Sequence, residues 1–233
     1  MNNRLTEQNE RYREHFQALS SVQEDDKKAA SLAVGGDFER IGKIEFEILK
    51  KFGLKPHHSV VDVGCGSGRL ASNLNENHEG SYLGTDVVPE LLEYAQSLTN
   101  RKDWRFEMVN DLIIPMEDGH ADFACFFSVF THLLHEQTFR YLRETHRVLK
   151  TGGKIIFSFL EFKIPSHWAA FEGSLQVEDT PHLNMFMDRF AIEAWADHLD
   201  LKLEAILDGD KPQVEAYENR DSLGQSVAVL VKE

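Results

Sequence analysis

The run from Val60 to Ala71, VVDVGCGSGRLA, constrains this chain more than any other segment. Its apolar start, Val60-Val61-Asp62-Val63, reads as a buried strand, and Arg69-Leu70-Ala71 reads as the start of a helix. Between them Gly64, Gly66 and Gly68 alternate with Cys65 and Ser67. Glycine lets a backbone turn tightly and leaves no Cβ between the chain and a ligand. The helix N-terminus behind the loop offers free N–H groups and positive potential to an anionic group. Strand, glycine loop and helix in this order make a cofactor cradle; the competing reading is an ordinary strand–helix turn.

Hydrophobic periodicity sets the frame around the cradle. Tyr12, Phe16 and Leu19 recur at helical spacing in a polar N-terminal stretch, and Gly35-Gly36 interrupts it. Phe38 to Phe52 then carries an amphipathic helix, stopped by Gly53. Strand patterns follow at 59–63, 81–85, 104–109, 121–127 and 154–160, with helices opened by Arg69, by Pro89 and over 137–149. Thr151-Gly152-Gly153 is expected to end the last of these helices before the strand that starts at Lys154. A helix over 189–198 and strands over 202–207 and 226–231 complete the pattern. Strands alternating with helices predict an α/β fold, a doubly wound, mostly parallel sheet of seven strands covered on both faces, with a helical N-terminal extension. We expect residues 1–53 to form an N-terminal helical segment and candidate lid. Residues 54–233 should form the main domain, with a cap inserted at about 161–188.

Composition narrows the partners. The formal net charge is −14, which repels phosphate backbones, and no basic run offsets it. The two cysteines, Cys65 and Cys125, suggest neither a disulfide framework nor a metal cluster. The polar N-terminus does not read as a secretory signal, and no apolar run approaches the roughly 20 residues of a membrane span. The expectations are a cytoplasmic protein with no nucleic-acid partner, no membrane and no metal.

The glycine spacing bears on the cofactor. A dinucleotide fingerprint, G-x-G-x-x-G, would need glycine where Arg69 stands. The run instead has the form D-x-G-x-G-x-G from Asp62 to Gly68, and it resembles motif I of the class I S-adenosylmethionine-dependent methyltransferases. The resemblance continues through Gly84-Thr85-Asp86, Val109-Asn110-Asp111-Leu112, the loop Ile114 to Asp122, Ser128-Val129-Phe130-Thr131-His132-Leu133, and Arg147-Val148-Leu149-Lys150-Thr151-Gly152-Gly153. It departs from the family at Met116, where phenylalanine is usual, and at Thr151, where proline is usual.

The resemblance implies a Rossmann-like methyltransferase fold and S-adenosyl-L-methionine as cofactor. By it, Asp62, Gly64, Cys65, Gly66 and Gly68 belong to the cofactor loop, Asp86 with Val87 meets the ribose, Asn110, Asp111 and Leu112 meet the adenine, and Phe127 and Ser128 close the site. A carboxylate at Asp86 can accept from both ribose hydroxyls, with a helix N-cap or turn aspartate as the competing reading. Arg40 is a candidate bidentate partner for the cofactor's carboxylate, or else an exposed helix arginine.

His132 is the candidate catalytic base, because an imidazole titrates near neutral pH; the alternative is a packed structural histidine. His135, His167, Trp168 and Phe186 are candidate substrate-pocket residues, with a self-packed surface cap as the alternative. The expected function is methyl transfer to O, N or C of a small-molecule acceptor. A non-catalytic cofactor-binding sensor or scaffold and an NAD-dependent oxidoreductase are the alternatives. Phe127-Ser128-Val129-Phe130 lacks the [DN]-P-P-[YF] motif of nucleic-acid amino-methyltransferases.

Overall fold

A computed structural model describes residues 3–21, 37–176, 183–217 and 221–233. Helix α1 (Asn3–Ser21) precedes α2 (Phe38–Lys51), β1 (Val60–Val63), α3 (Arg69–Asn75), β2 (Tyr82–Asp86), α4 (Pro89–Thr99) and β3 (Arg105–Met108). The second half runs through β4 (Ala121–Phe126), α5 (His135–Val148), β5 (Leu149–Phe159), α6 (Pro165–Ser174), α7 (Arg189–His198), β6 (Leu201–Leu207) and β7 (Ser226–Lys232). The seven strands form one sheet in the order β3-β2-β1-β4-β5-β7-β6. Pairing is parallel from β3 through β5, and β7 is antiparallel to both its neighbours. The order reverses between β1 and β4, where ligands of open α/β sheets sit.

Side-chain alternation builds the two faces. Val61, Ile155, Phe157, Ala228 and Leu230 point to one side, where Leu142 and Val148 of α5 and Ile192 and Ala196 of α7 cover them. Val60, Ile156, Val227 and Val229 point to the other, under Ile44 and Ile48 of α2 and Leu70 and Leu74 of α3. Both faces are closed, which is why the central strands read as continuous apolar runs. Truncating one of the leucines or isoleucines among them to alanine would cost about 2–5 kcal/mol.

Three expectations change. The β5 ladder begins at Leu149, paired with Ala121, and the pairing shifts register before Phe123 meets Lys154. Gly152, at φ +80°, lets the chain turn within the strand rather than before it. The long connection after β5 contains a helix, α6, with Pro165 in its first turn. Finally, α2 packs on α3 and buries Ile44, Ile48 and Leu49 completely, so residues 38–51 belong to the layer over the sheet rather than to a lid. Gly35-Gly36 lies outside the described residues. No helix among the described residues is long and apolar enough to cross a membrane.

Candidate active site

The loop after β1 is fastened before any ligand is considered. Gly64 N and Cys65 N both donate to the Thr85 carbonyl oxygen, at 2.7 and 2.9 Å. Gly64 sits at φ +70°, and a Cβ there would lie 2.5 Å from Val129 Cγ2, so no other residue fits. Asp86, at the end of β2, takes one backbone N–H on each carboxylate oxygen: Gly66 N on Oδ2 at 2.9 Å and Val88 N on Oδ1 at 3.0 Å. Burial raises its pKa, and these backbone donors pull the other way.

The other walls come from β3, β4 and α1, part of the segment expected as a candidate lid. Asn110 and Asp111 follow β3, and Tyr141 of α5 donates to the Asp111 carbonyl oxygen at 3.1 Å. Past β4, Ser128 adopts φ +59°, rare outside glycine, with its N–H held by Ser158 Oγ at 2.7 Å. A 3-10 turn, Phe130–His132, then carries His132 to the rim, where Nδ1 lies 2.7 Å from the Leu183 carbonyl oxygen. Helix α1 lies across the opening. Arg13 Nε donates to the Val87 carbonyl oxygen at 2.7 Å, and Asn9 Nδ2 donates to that of Asn110 at 3.1 Å. Arg13 Nη2 also bonds the Asn110 side chain, and Gln137 bonds Gln8 at 2.6 Å. The rings of Tyr12 and His132 stand 6.2 Å apart.

Together these elements line a half-open cavity of about 400 Å³. Of the expected cofactor residues, Gly64, Cys65, Gly66, Asp86, Val87, Asn110, Asp111, Leu112, Phe127 and Ser128 all line it, and so does His132. Asp62, Gly68 and Arg40 do not. Asp62 is buried behind the loop, accepting from Tyr82 Oη at 2.8 Å, and burial pushes its pKa up to about 6. Gly68 is a packing glycine: a Cβ there would lie 2.7 Å from that of Ala95. Arg40 turns away to Asp221, at 2.7 Å.

The expected substrate residues also go elsewhere. His167 is buried, accepting from Glu161 N at 3.0 Å and donating to the Gly224 carbonyl oxygen at 2.9 Å. His135 donates from Nε2 to the Phe186 carbonyl oxygen at 2.9 Å. Phe186 stacks on Phe162 at 4.6 Å, and Trp168 joins the same aromatic cluster, half exposed. Polar partners and aromatic neighbours satisfy these side chains away from the cavity. Among the described residues, no group of three or more His, Cys, Asp or Glu side chains is placed to hold a metal ion.

Sequence reasoning missed the contributions of Leu5, Gln8, Asn9 and Tyr12 on α1, and of Arg69. The helical spacing of Tyr12 was visible, but nothing local says which surface the helix covers. Arg69 Nε lies 2.7 Å from Glu45 Oε1 of α2, a pair buried under the loop.

Residues 61–157 match the family described as a methyltransferase domain. The ubiquinone/menaquinone biosynthesis C-methyltransferase UbiE of Geobacter sp. (strain M21) is 29% identical over 170 residues, covering 70% of this chain and 67% of that protein. These matches support a class I S-adenosylmethionine-dependent methyltransferase. Ribosomal protein L11 methyltransferase of Thermosipho africanus is 26% identical over 150 residues, 60% of this chain and 55% of its own length. The chain therefore spans about two thirds of the first relative and little more than half of the second. The crystal structure of magnesium protoporphyrin IX methyltransferase from Synechocystis PCC 6803 with bound SAH superposes at a TM-score of 0.66. It is 14% identical, with 94% of each chain covered, and shows the shared fold.

This methyltransferase uses S-adenosylmethionine, and the dinucleotide alternative is set aside. The cradle suits that group. The buried Asp86 carboxylate is held at the cavity wall by backbone N–H groups, among them those of Gly66 and Val88, and an ionised carboxylate there can accept from a hydroxyl.

Proposed function

We propose that this methyltransferase modifies a small-molecule acceptor. The observation that carries the reading is α1 lying across the cleft, fastened at Val87, Asn110 and Gln137, which narrows it to a half-open space of about 400 Å³. Small-molecule and cofactor sites are concave, and run to roughly 300–1,000 Å³. The net charge of −14 further disfavours RNA.

Within the cavity we assign the backbone of Gly64, Cys65 and Gly66 to the cofactor's amino-acid end, Asp86 to the ribose, and Asp111 with Leu112 to the adenine. Phe127 and Ser128 face the acceptor end. The bound cofactor supplies an electrophilic methyl carbon on a sulfonium. The chain's own contribution is to align the acceptor and exclude water, which α1 and the apolar walls of Leu5, Val129 and Leu133 do together. Incubating the protein with methyl-labelled cofactor and a cell extract, then separating metabolites, protein and RNA, tests the reading. Label in the metabolite fraction is expected, and label confined to protein or RNA overturns it.

A further inference from the structure

We propose that the Tyr12 hydroxyl, carried on α1, donates a hydrogen bond to the carboxylate at the amino-acid end of the bound cofactor. The proposal deepens the placement of that end over Gly64, Cys65 and Gly66, and rests on it.

A carboxylate only accepts, so the wall around it must supply donors. The glycine loop has few to give. Gly64 N and Cys65 N both bond the Thr85 carbonyl oxygen, Gly66 N bonds Asp86 Oδ2, and Gly68 N bonds the Cys65 carbonyl oxygen at 3.0 Å. The glycines let a ligand approach the backbone closely, but these four N–H groups are turned into the protein. Side-chain donors at the rim are committed in the same way. Asn9 Nδ2 is on the Asn110 carbonyl oxygen, Arg13 Nε on that of Val87, and Tyr141 Oη on that of Asp111. The Tyr12 hydroxyl differs. It has no hydrogen-bond partner among the described residues, and Tyr12 lines the cavity.

Its placement follows from the helix. Leu5, Gln8, Asn9 and Tyr12 recur at helical spacing and form the face of α1 that meets the cavity. Asn9 and Arg13 anchor that helix before and after Tyr12, at the ends of β3 and β2. The Tyr12 ring stands 6.2 Å from that of His132, on the β4 side. Burial and the Asp86 carboxylate raise the pKa of its hydroxyl, and Arg69, at the start of α3, lowers it. The group therefore keeps its proton, and it feels charges on both flanks of the glycine loop. Asp86 and Asp111 already line this cavity, so an anionic ligand end needs donors beside it. A hydrogen bond to an ionised acceptor is roughly twice as strong as a neutral one. Because this donor sits on α1, binding the cofactor also fastens the helix.

Tyr12→Phe removes the hydroxyl and keeps the ring and its packing, so the fold is retained. Calorimetry on wild type and variant compares two ligands: the demethylated cofactor, and S-adenosyl-3-thiopropylamine, the same molecule without its carboxylate. The variant should bind the first about 10–100-fold more weakly, as for a lost hydrogen bond to a charged group. Its affinity for the second should stay within about twofold. Amide exchange over residues 3–21 should slow when the demethylated cofactor is added to wild type, and slow less in the variant. If wild type prefers the carboxylate-bearing ligand but the variant loses affinity for both equally, or for neither, the proposal is overturned and the placement of the amino-acid end stands. Equal affinity of wild type for the two ligands overturns both.

Discussion

The backbone N–H of Gly66 donates to Asp86 Oδ2 at 2.9 Å, so the loop after β1 and the end of β2 act as one unit. Asp86→Asn places an amide NH₂ against one of two backbone donors. Affinity for the demethylated cofactor should fall by about 1–3 kcal/mol, the cost of leaving such groups unpaired. Calorimetry on the folded variant checks this, and wild-type affinity would remove Asp86 from the ribose role.

Arg13 ties α1 to the rim through Val87 and Asn110. Arg13→Ala should loosen the helix by roughly 1.5 kcal/mol, the low end for a charged donor. Amide exchange over residues 3–21 should then speed about tenfold relative to the sheet. Unchanged exchange would show that other contacts hold the helix.

Much of this fold was legible because the central strands are closed on both faces, which forces long apolar runs bounded by glycine. The cofactor side of the site was legible for a related reason. Gly64, Asp86 and Asp111 follow strand ends, so topology alone brings them together. What failed depended on long-range docking. His167 and Trp168 sit on α6, and whether that helix faces the cavity or its own aromatic cluster is decided by Phe162, just before it, together with Phe186, beyond it in the chain. Of the two readings left open for Arg40, neither foresees Asp221, because that partner lies near the other end of the chain.

Gly42 offers a test of close packing. Replacing a glycine in a helix by alanine ordinarily stabilises by up to about 1 kcal/mol. At position 42 a Cβ would run into the Arg69 carbonyl oxygen and lie 2.7 Å from Asn73 Nδ2. Gly42→Ala should therefore destabilise, by about 1–3 kcal/mol, and a raised melting temperature would contradict the contact between α2 and α3.

Glu45 makes stability depend on pH. Burial raises its pKa from 4.5 to about 7, although Arg69 pulls it down. The folded protein therefore binds this proton more tightly than the unfolded chain does. Its contribution is full below about pH 4.5 and is lost as pH rises through about 7, at up to about 1.4 kcal/mol per pH unit. Glu45→Gln cannot titrate, so the stability of wild type relative to the variant should decline across that window. Urea unfolding at pH 5, 6, 7 and 8 measures the difference, and a flat line would refute the shift.

The antiparallel β7 bears on how this enzyme is made. It lies between β5 and β6 in space but follows both in sequence. During translation β6 has no neighbour until residues 226–232 emerge, and β5 keeps one edge open for the same interval. Unpaired strand edges are templates for aggregation. A ribosome stalled after β6 would hold a nascent chain with its loop and cavity residues already synthesised and two sticky edges exposed. Synthesis of β7 is thus the step that covers both open edges.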